Sequence, residues 1–442
     1  MTRAPLRASA GADVARIVVH DYAGQPGQAQ LSRALARRGH EVIHQHCPSH
    51  LTGQGSLGIE PGDPGTLRFE ACPLGTALHR SAFLTRIRQE VAYGRKAARC
   101  IIDHRPDVAI VSNVPLLAHA ILARRLSARG IPMVFWLQDI CPDAIGATVR
   151  PRFPTIARLV AGLAERIERS IARSSSGIVA PSTSFLDELR AWGVADRTTV
   201  VPNWAPIDEL PARRRVNAWS ERMGLSVCPV VLYSGTLDLD HDPSILALIS
   251  AQLHESRPDA RVVVISEGKG RQWLEKWKQE HRAENLLLLD SQPYEDLPDV
   301  LASADVLVAI LKPGASRFSV PSEVLTYLWA QRAILGVIPR DNSMAEILET
   351  NEAGWVVDPA ARRGVASRVE ELLDDHQLRR LMGRDGRRYA ETEFSAQRAA
   401  DCFMGIFETC LPRPVIDVGD AVLTTLHPTS GPWTPHEVKL AV

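Results

Sequence analysis

The sequence is short of the features that mark several protein classes. No stretch of its 442 residues is long and apolar enough to span a bilayer. Its seven cysteines are scattered, with no C-x-x-C pair and no tight His/Cys spacing, so neither a zinc site nor a disulfide framework is expected. A reduced, cytoplasmic protein is the plain expectation. Lys+Arg and Asp+Glu both number 51, so net charge is zero. With no interleaving of basic and aromatic residues, nucleic-acid binding is disfavoured. No close carboxylate pair of the kind hydrolases use is evident. The start, residues 1–15, is Ala/Arg-rich without the apolar core of a secretion signal and is expected to be frayed. Residues 412–442, with Pro-Arg-Pro and Pro-Thr-Ser-Gly-Pro, read as a poorly ordered tail.

What is present is a globular composition, 45% apolar and 23% charged. Charge is uneven: up to Leu210 there are 25 Lys+Arg against 18 Asp+Glu, leaving 26 against 33 for the rest. The first half is therefore +7 and the second −7, a hint that the first half faces something anionic, or ordinary variation. Short β-branched runs alternate with helical periods. "RIVVH", "EVIHQH", "PDVAIVSN", "IPMVFWLQD", "SGIVAPS" and "TTVVPNW" are strand patterns in the first half. The helices between them, such as "LLAHAILARRLSARG", end in glycine. "PNWAPIDELPARRRVNAW" breaks the rhythm, after which "PVVLYSG", "RVVVISEG", "NLLLLD", "DVLVAIL", "AILGVIP" and "GWVVDP" restart it. Such alternation gives α/β architecture: two tandem Rossmann-like domains of doubly wound parallel sheet. The boundaries expected are 16–205 and 229–390, joined by a linker over 206–228. A helix over 391–411 is expected to return to the first domain.

Ligands of open parallel sheets sit beyond the carboxyl ends of strands, so those positions hold the candidate residues. After the first strand, "DYAGQPGQ" brings Gly24 and Gly27, which either let backbone approach a ligand or form an ordinary turn. Asn113 ends the third strand pattern and Asp139 the fourth. Both are candidate catalytic residues, and Asp139 reads equally well as a helix cap. In the second domain Gly235 and Thr236 can donate to a phosphate. Glu267, Gly268, Lys269 and Arg271 follow the next strand, and Gln292 and Tyr294 are placed to flank a flat ring. The stretch "FSVPSEVLTYLWAQRAILGVIP" opens a helix through Ser319, Pro321 and Ser322. Proline suits a first turn, and serines cap. The N–H groups of Ser322, Glu323 and Val324 would then form a phosphate cradle at the positive end of the helix, with Lys312 and Arg317 adding charge. The alternative is a well-capped buried helix without a ligand. "DLD" at Asp238 to Asp240 reads as loop aspartates rather than a metal site.

Taken in order, "HDYAGQPGQAQLSRALARRGHEV", "IVSNVPLLAHAILARRL", "VFWLQDICPDAIG", "GIVAPSTSFLDELRAWGV", "VLYSGTLDLDHDP", "VVISEGKGRQWL" and "QPYEDLPDVLASADVLVAILKPGASRFSVPSEVLTYL" resemble the retaining family-four glycosyltransferases of GT-B fold. The nearest branch is the bacterial one that includes colanic-acid and fucosamine transferases of surface polysaccharide synthesis. The resemblance spans roughly Arg16 to Leu411. It implies a nucleotide-diphosphate sugar as donor and co-substrate, bound by the second domain, with no further cofactor and no metal. A glycan or polyprenyl-linked acceptor would meet the first domain. Gly24 to Gly27, Gly235, Thr236, Glu267, Gly268, Gln292, Tyr294 and Ser319 to Glu323 match donor-side loops, with Thr326 in the same helix. Asp139 matches a position near the reacting sugar. Departures stand at Phe318 and Thr326, where relatives carry carboxylates, and at Thr236, Asp240, Lys312 and Glu323. These remove positive charge from the place where a diphosphate leaves. Rival readings are a nucleotide-sugar 2-epimerase and a weakened homologue that acts as a partner of an active enzyme. Residues 78–101, with Phe83, Leu84, Ile87 and Val91 among arginines, form a basic amphipathic stretch. It is read either as a contact with an anionic membrane face or as a surface helix packed on its own domain.

Overall fold

The structure is a computed structural model. It describes residues 14–48, 56–73, 83–140, 154–204, 211–237, 241–313 and 321–411. The expected frayed start to residue 13, the tail from 412, Asp238 to Asp240, Arg317, Phe318 and Ser319 lie outside the described residues, as does the side chain of Ser322.

Two wholly parallel sheets carry the fold. The first has strands β1 (Arg16–Asp21), β2 (Glu41–His46), β3 (Leu67–Ala71), β4 (Val108–Ser112), β5 (Met133–Trp136), β6 (Gly177–Ala180) and β7 (Thr198–Val200). Its spatial order is β3-β2-β1-β4-β5-β6-β7. The second has β8 (Val230–Ser234), β9 (Arg261–Ile265), β10 (Leu286–Leu289), β11 (Val306–Ile310), β12 (Ala333–Val337) and β13 (Gly354–Val357), in the order β10-β9-β8-β11-β12-β13. The central strands are unbroken runs of buried Val, Ile and Leu, as sheets covered by helices on both faces require. Strand order reverses between β1 and β4 and again between β8 and β11. Switch points of this kind are where open parallel sheets bind ligands.

One strand escaped the sequence reading. β3 lies at the sheet edge and only its first residue, Leu67, is buried, so "LRFEA" lacks the apolar run that marks the central strands. The last helix, Ala396–Cys410, belongs to the second half of the chain but packs on the Pro26–Arg37 helix of the first lobe. Phe403 meets Trp136 edge-to-face at 5.1 Å between ring centroids. Trp136 in turn stacks on Trp204 at 5.6 Å. Strand β6 starts at a glycine because a Cβ on Gly177 would fall 2.6 Å from Ile406 of that helix.

Candidate functional site

In the second lobe the switch point is laced together by two tyrosines. Tyr327, fully buried in the Ser322–Trp329 helix, accepts from the N–H of Ser234 at 2.8 Å and donates to its carbonyl at 3.1 Å. This fixes the helix, through its sixth residue, against the end of β8. Tyr233 donates to the carbonyl of Thr236 at 3.2 Å and supports the loop from below. The neighbouring loop is locked to the same point. Leu237 N–H donates to Ser266 Oγ at 3.0 Å and the Glu267 carbonyl at 3.2 Å, and Gly270 N–H donates to the Leu237 carbonyl at 3.0 Å. Gly268 has φ +98°, and a Cβ there would meet the Leu237 carbonyl oxygen at 2.9 Å. Only glycine fits this approach. Gly235, Thr236, Glu267, Gly268 and the helix start are therefore brought together, with Thr236, Glu267 and Gly268 exposed.

Several expected donors have other partners. Gly235 N–H is bonded to the Ile265 carbonyl at 3.1 Å, which leaves the exposed Thr236 as that loop's donor. At the helix start Pro321 is itself the N-cap, while the serine capping expected from sequence falls on Ser319 and the Ser322 side chain, outside the described residues. The three-amide cradle is corrected, since Val324 N–H returns to the Pro321 carbonyl at 3.0 Å. Thr326 donates its hydroxyl to the Glu323 carbonyl at 2.8 Å and stays within its own helix. Arg271 pairs with Asp290 at 2.8 Å and Glu275 at 3.4 Å, so its charge is already compensated. Gln292 accepts from Trp219 Nε1 at 3.1 Å and donates to the Asp290 carbonyl at 2.9 Å. Tyr294 is 48% exposed. Lys312, just beyond β11, is half-buried.

Glu323, one of the expected donor-side residues, has an environment the sequence did not indicate. Its carboxyl is buried, one oxygen has no hydrogen-bond partner among the described residues, and burial pushes its pKa up to about 7.

In the first lobe, β1 ends at Asp21, a residue the sequence reading passed over. Asp21 is fully buried and gathers the glycine loop around its carboxylate. It accepts from the N–H of Ala23 at 3.2 Å and of Gln25 at 2.5 Å, and from Asn113 Nδ2 at 2.9 Å. Burial raises its pKa to about 6, and those hydrogen bonds oppose the rise. Gly24 sits at φ +69° and Asn113 at φ +57°, both in the left-handed region. Asn113 is thereby placed beside Gly24 as a scaffold of the loop. Gly27 lies 3.8 Å, measured from a built Cβ, from the Trp204 ring, an ordinary contact that does not itself demand glycine. Asp139 is exposed three residues past β5. The residues after Ile140 that would settle its reading as a helix cap lie outside the described residues. The signal for Asp21 was present in "HD" at the strand end.

The lobes meet beside this site. A cavity of about 260 Å³ is lined by Pro181, Ser182 and Asn203 of the first lobe and by Leu325, Met344 and Ile347 of the second. Leu325 belongs to the tyrosine-anchored helix, so that helix borders the space between the lobes.

Comparisons with known proteins agree with this geometry. Residues 8–204 match the glycosyl transferase 4-like domain, and residues 227–389 match glycosyl transferases group 1. Over 144 residues the chain is 28% identical to a GDP-mannose-dependent monoacylated alpha-(1-6)-phosphatidylinositol monomannoside mannosyltransferase of Corynebacterium glutamicum, covering 33% of this chain and 38% of that protein. Over 232 residues it is 26% identical to the putative colanic acid biosynthesis glycosyl transferase WcaI of Escherichia coli, covering 51% and 55%. These matches thus span about half or less of those relatives' length. The fold is shared with the Anabaena protein HepE, solved in complex with UDP and glucose. There the TM-score is 0.66 at 15% identity, over 89% of this chain and 99% of the other. The twin parallel sheets and the two domain matches, which follow one another along nearly the whole described chain, give this chain a GT-B fold made of a glycosyl transferase 4-like domain followed by a glycosyl transferases group 1 domain.

Proposed function

We propose that the chain transfers a sugar, with retention at the anomeric carbon, from a nucleotide-diphosphate donor to a glycan or lipid-linked acceptor in surface polysaccharide or glycoconjugate synthesis. The observation that carries this reading is the convergence of the Gly235–Thr236 loop, the Glu267–Gly268 loop and the Ser322–Trp329 helix start at the β8/β11 switch point, held by Tyr327. A diphosphate seated there would meet the positive helix end, the Thr236 hydroxyl and the nearby Lys312, all of which favour charge developing on a leaving group. The exposed Tyr294 ring would stack on a base. The departing phosphate oxygen would accept the acceptor's proton, so no strong protein base is needed. The glycine loop shaped by Asp21 and Asn113 would approach the donor from the first lobe, with Asp139 near the reacting sugar. The test is a thermal-shift screen against a panel of nucleotide sugars, followed by turnover with lipid-linked acceptors and assignment of the product anomer by NMR. A specific donor raises the melting temperature by mass action. If no nucleotide sugar shifts it, the reading fails.

A second reading, a weakened homologue that partners an active transferase, has one observation in its favour. Arg271, Gln292 and Thr326 are all committed within the fold rather than facing a ligand. Donor binding without turnover would select it.

The anionic-membrane contact rests on the Phe83–Asp103 helix. Its Tyr93, Ala97, Ala98 and Ile101 are buried in the first-lobe core, and Ile87 and Val91 are half-buried. Arg88, Arg95, Lys96 and Arg99 face outward. The side chains of Phe83 and Leu84 lie outside the described residues, and the contact proposed is electrostatic adsorption through the arginine face. Liposome co-sedimentation at low salt that is indifferent to anionic lipid would remove it.

A further inference from the structure

Glu323 occupies the second position of the tyrosine-anchored helix, where a phosphate would arrive, yet it carries an acid. Its side chain is 9% exposed. Among the described residues its Oε1 touches neither solvent nor a hydrogen-bond partner, and its own backbone N–H is the donor that acts on the carboxyl. Among the described residues, the titratable groups that face it are His241, Tyr233 and Tyr327. His241 Nε2 stands 3.9 Å from Oε1, too far for a hydrogen bond. Both tyrosine hydroxyls are spent on backbone carbonyls, Tyr233 on Thr236 and Tyr327 on Ser234. An ionised carboxylate with an unfilled buried oxygen is an expensive arrangement. Burial accordingly moves its titration to near neutrality. A second anion brought to the helix start would make ionisation costlier still. A carboxylic acid has no such conflict, because its O–H can donate to a phosphate oxygen.

We propose that Glu323 takes up a proton from solvent when a nucleotide-diphosphate sugar binds, and holds it as a hydrogen-bond donor to the diphosphate. One carboxylate and one proton become one carboxylic acid, and no other species is consumed. This inference rests on the donor-site reading above and adds to it that donor affinity depends on pH through a single protein group. With Arg271 already paired to Asp290 and Glu275, a neutral acid supplies a donor without adding charge.

The experiment is isothermal titration of the full chain with UDP-glucose and GDP-mannose, in pairs of buffers that differ in ionisation enthalpy. The diphosphate diester of these probes does not itself titrate between pH 6 and 9. Wild type should take up nearly one proton per nucleotide at pH 8, falling to roughly a tenth of one at pH 6. Its Kd should weaken by about tenfold per pH unit above 7. Glu323→Gln keeps a neutral donor and should bind with no proton uptake and a flat pH profile. Glu323→Ala should also lose the uptake and bind about tenfold more weakly than Glu323→Gln. Binding by wild type without proton uptake overturns the proposal. So does uptake that survives in Glu323→Gln, including uptake that vanishes in His241→Asn, and so does binding that requires added Mg²⁺. If neither probe nor any other nucleotide sugar binds wild type, the donor-site reading falls and this inference with it. The other adverse outcomes remove the inference alone.

Discussion

Tyr327→Phe is the sharpest test of the physical claim that the Ser322–Trp329 helix is clamped to the end of β8. The substitution deletes one oxygen and leaves the ring in place, so packing hardly changes. The oxygen it removes serves two backbone groups of Ser234, as acceptor for the N–H at 2.8 Å and as donor to the carbonyl at 3.1 Å. Both lie at a partly buried strand end against a tyrosine with no exposed surface. Leaving a buried polar group unpaired costs about 1–3 kcal/mol. With partial access of water to Ser234, the pair should cost roughly 2–3 kcal/mol. For a lobe of this size that lowers its melting temperature by roughly 5–10 °C. Calorimetry on the variant and wild type reads the shift directly, and urea titration provides the free-energy difference at constant slope. The same variant should give a smaller thermal shift with any donor that wild type binds, because the helix start is then free to drift from the Gly235 loop. A loss below about 0.5 kcal/mol, the range of ordinary surface changes, would show that the clamp contributes nothing and refute the reasoning.

Gly268→Ala forces a side chain into φ +98° and against the Leu237 carbonyl oxygen. It should destabilise the second lobe by about 1–3 kcal/mol in urea titration and abolish donor-induced thermal shifts. Phe403→Ala empties a buried site against Trp136 and should lower unfolding stability by about 3–5 kcal/mol. Trp136 fluorescence would report the loss. Acid should weaken the fold between pH 6.5 and 4.5. His20, His44 and His119 are buried neutral, their pKa values pushed down to about 4, 3 and 3 by burial. Unfolding lets each bind a proton below 6.5, so their contribution is complete above that pH and is lost as pH falls. Asp21 and Glu323, raised to about 6 and 7 by burial, act in the opposite sense and stabilise towards acid. Integrated over the window the histidines win by an amount on the order of 3 kcal/mol. A urea midpoint that stays flat from pH 4.5 to 6.5 would contradict this balance.

Fold class was legible because the central strands are continuous Val/Ile/Leu runs set between glycine-terminated helices, a pattern only a covered parallel sheet explains. β3 was not legible, because an edge strand is half-wet and five residues of which only Leu67 is buried resemble a loop. At the site, the glycines Gly24 and Gly268 could be read from sequence, since both occupy backbone conformations that favour glycine. The hydrogen-bond partners could not. Whether Gly235 N–H faces a ligand or Ile265, and whether Arg271 is free or paired with Asp290, is decided by how two loops distant in sequence settle on each other. Asp21 was hidden for a related reason. A carboxylate at a strand end looks solvent-facing until the loop that folds over it is known.

The helix Ala396–Cys410 has a consequence for how the molecule is made. The first lobe leaves the ribosome first, but the surface around Trp136 and Gly177 is finished only by residues near the end of the second. During synthesis of more than two hundred intervening residues that apolar seam stays open to solvent and to chaperones. Closing it joins both halves into one cooperative unit, so a nascent chain stalled in the second lobe would present the seam as a handle for quality control.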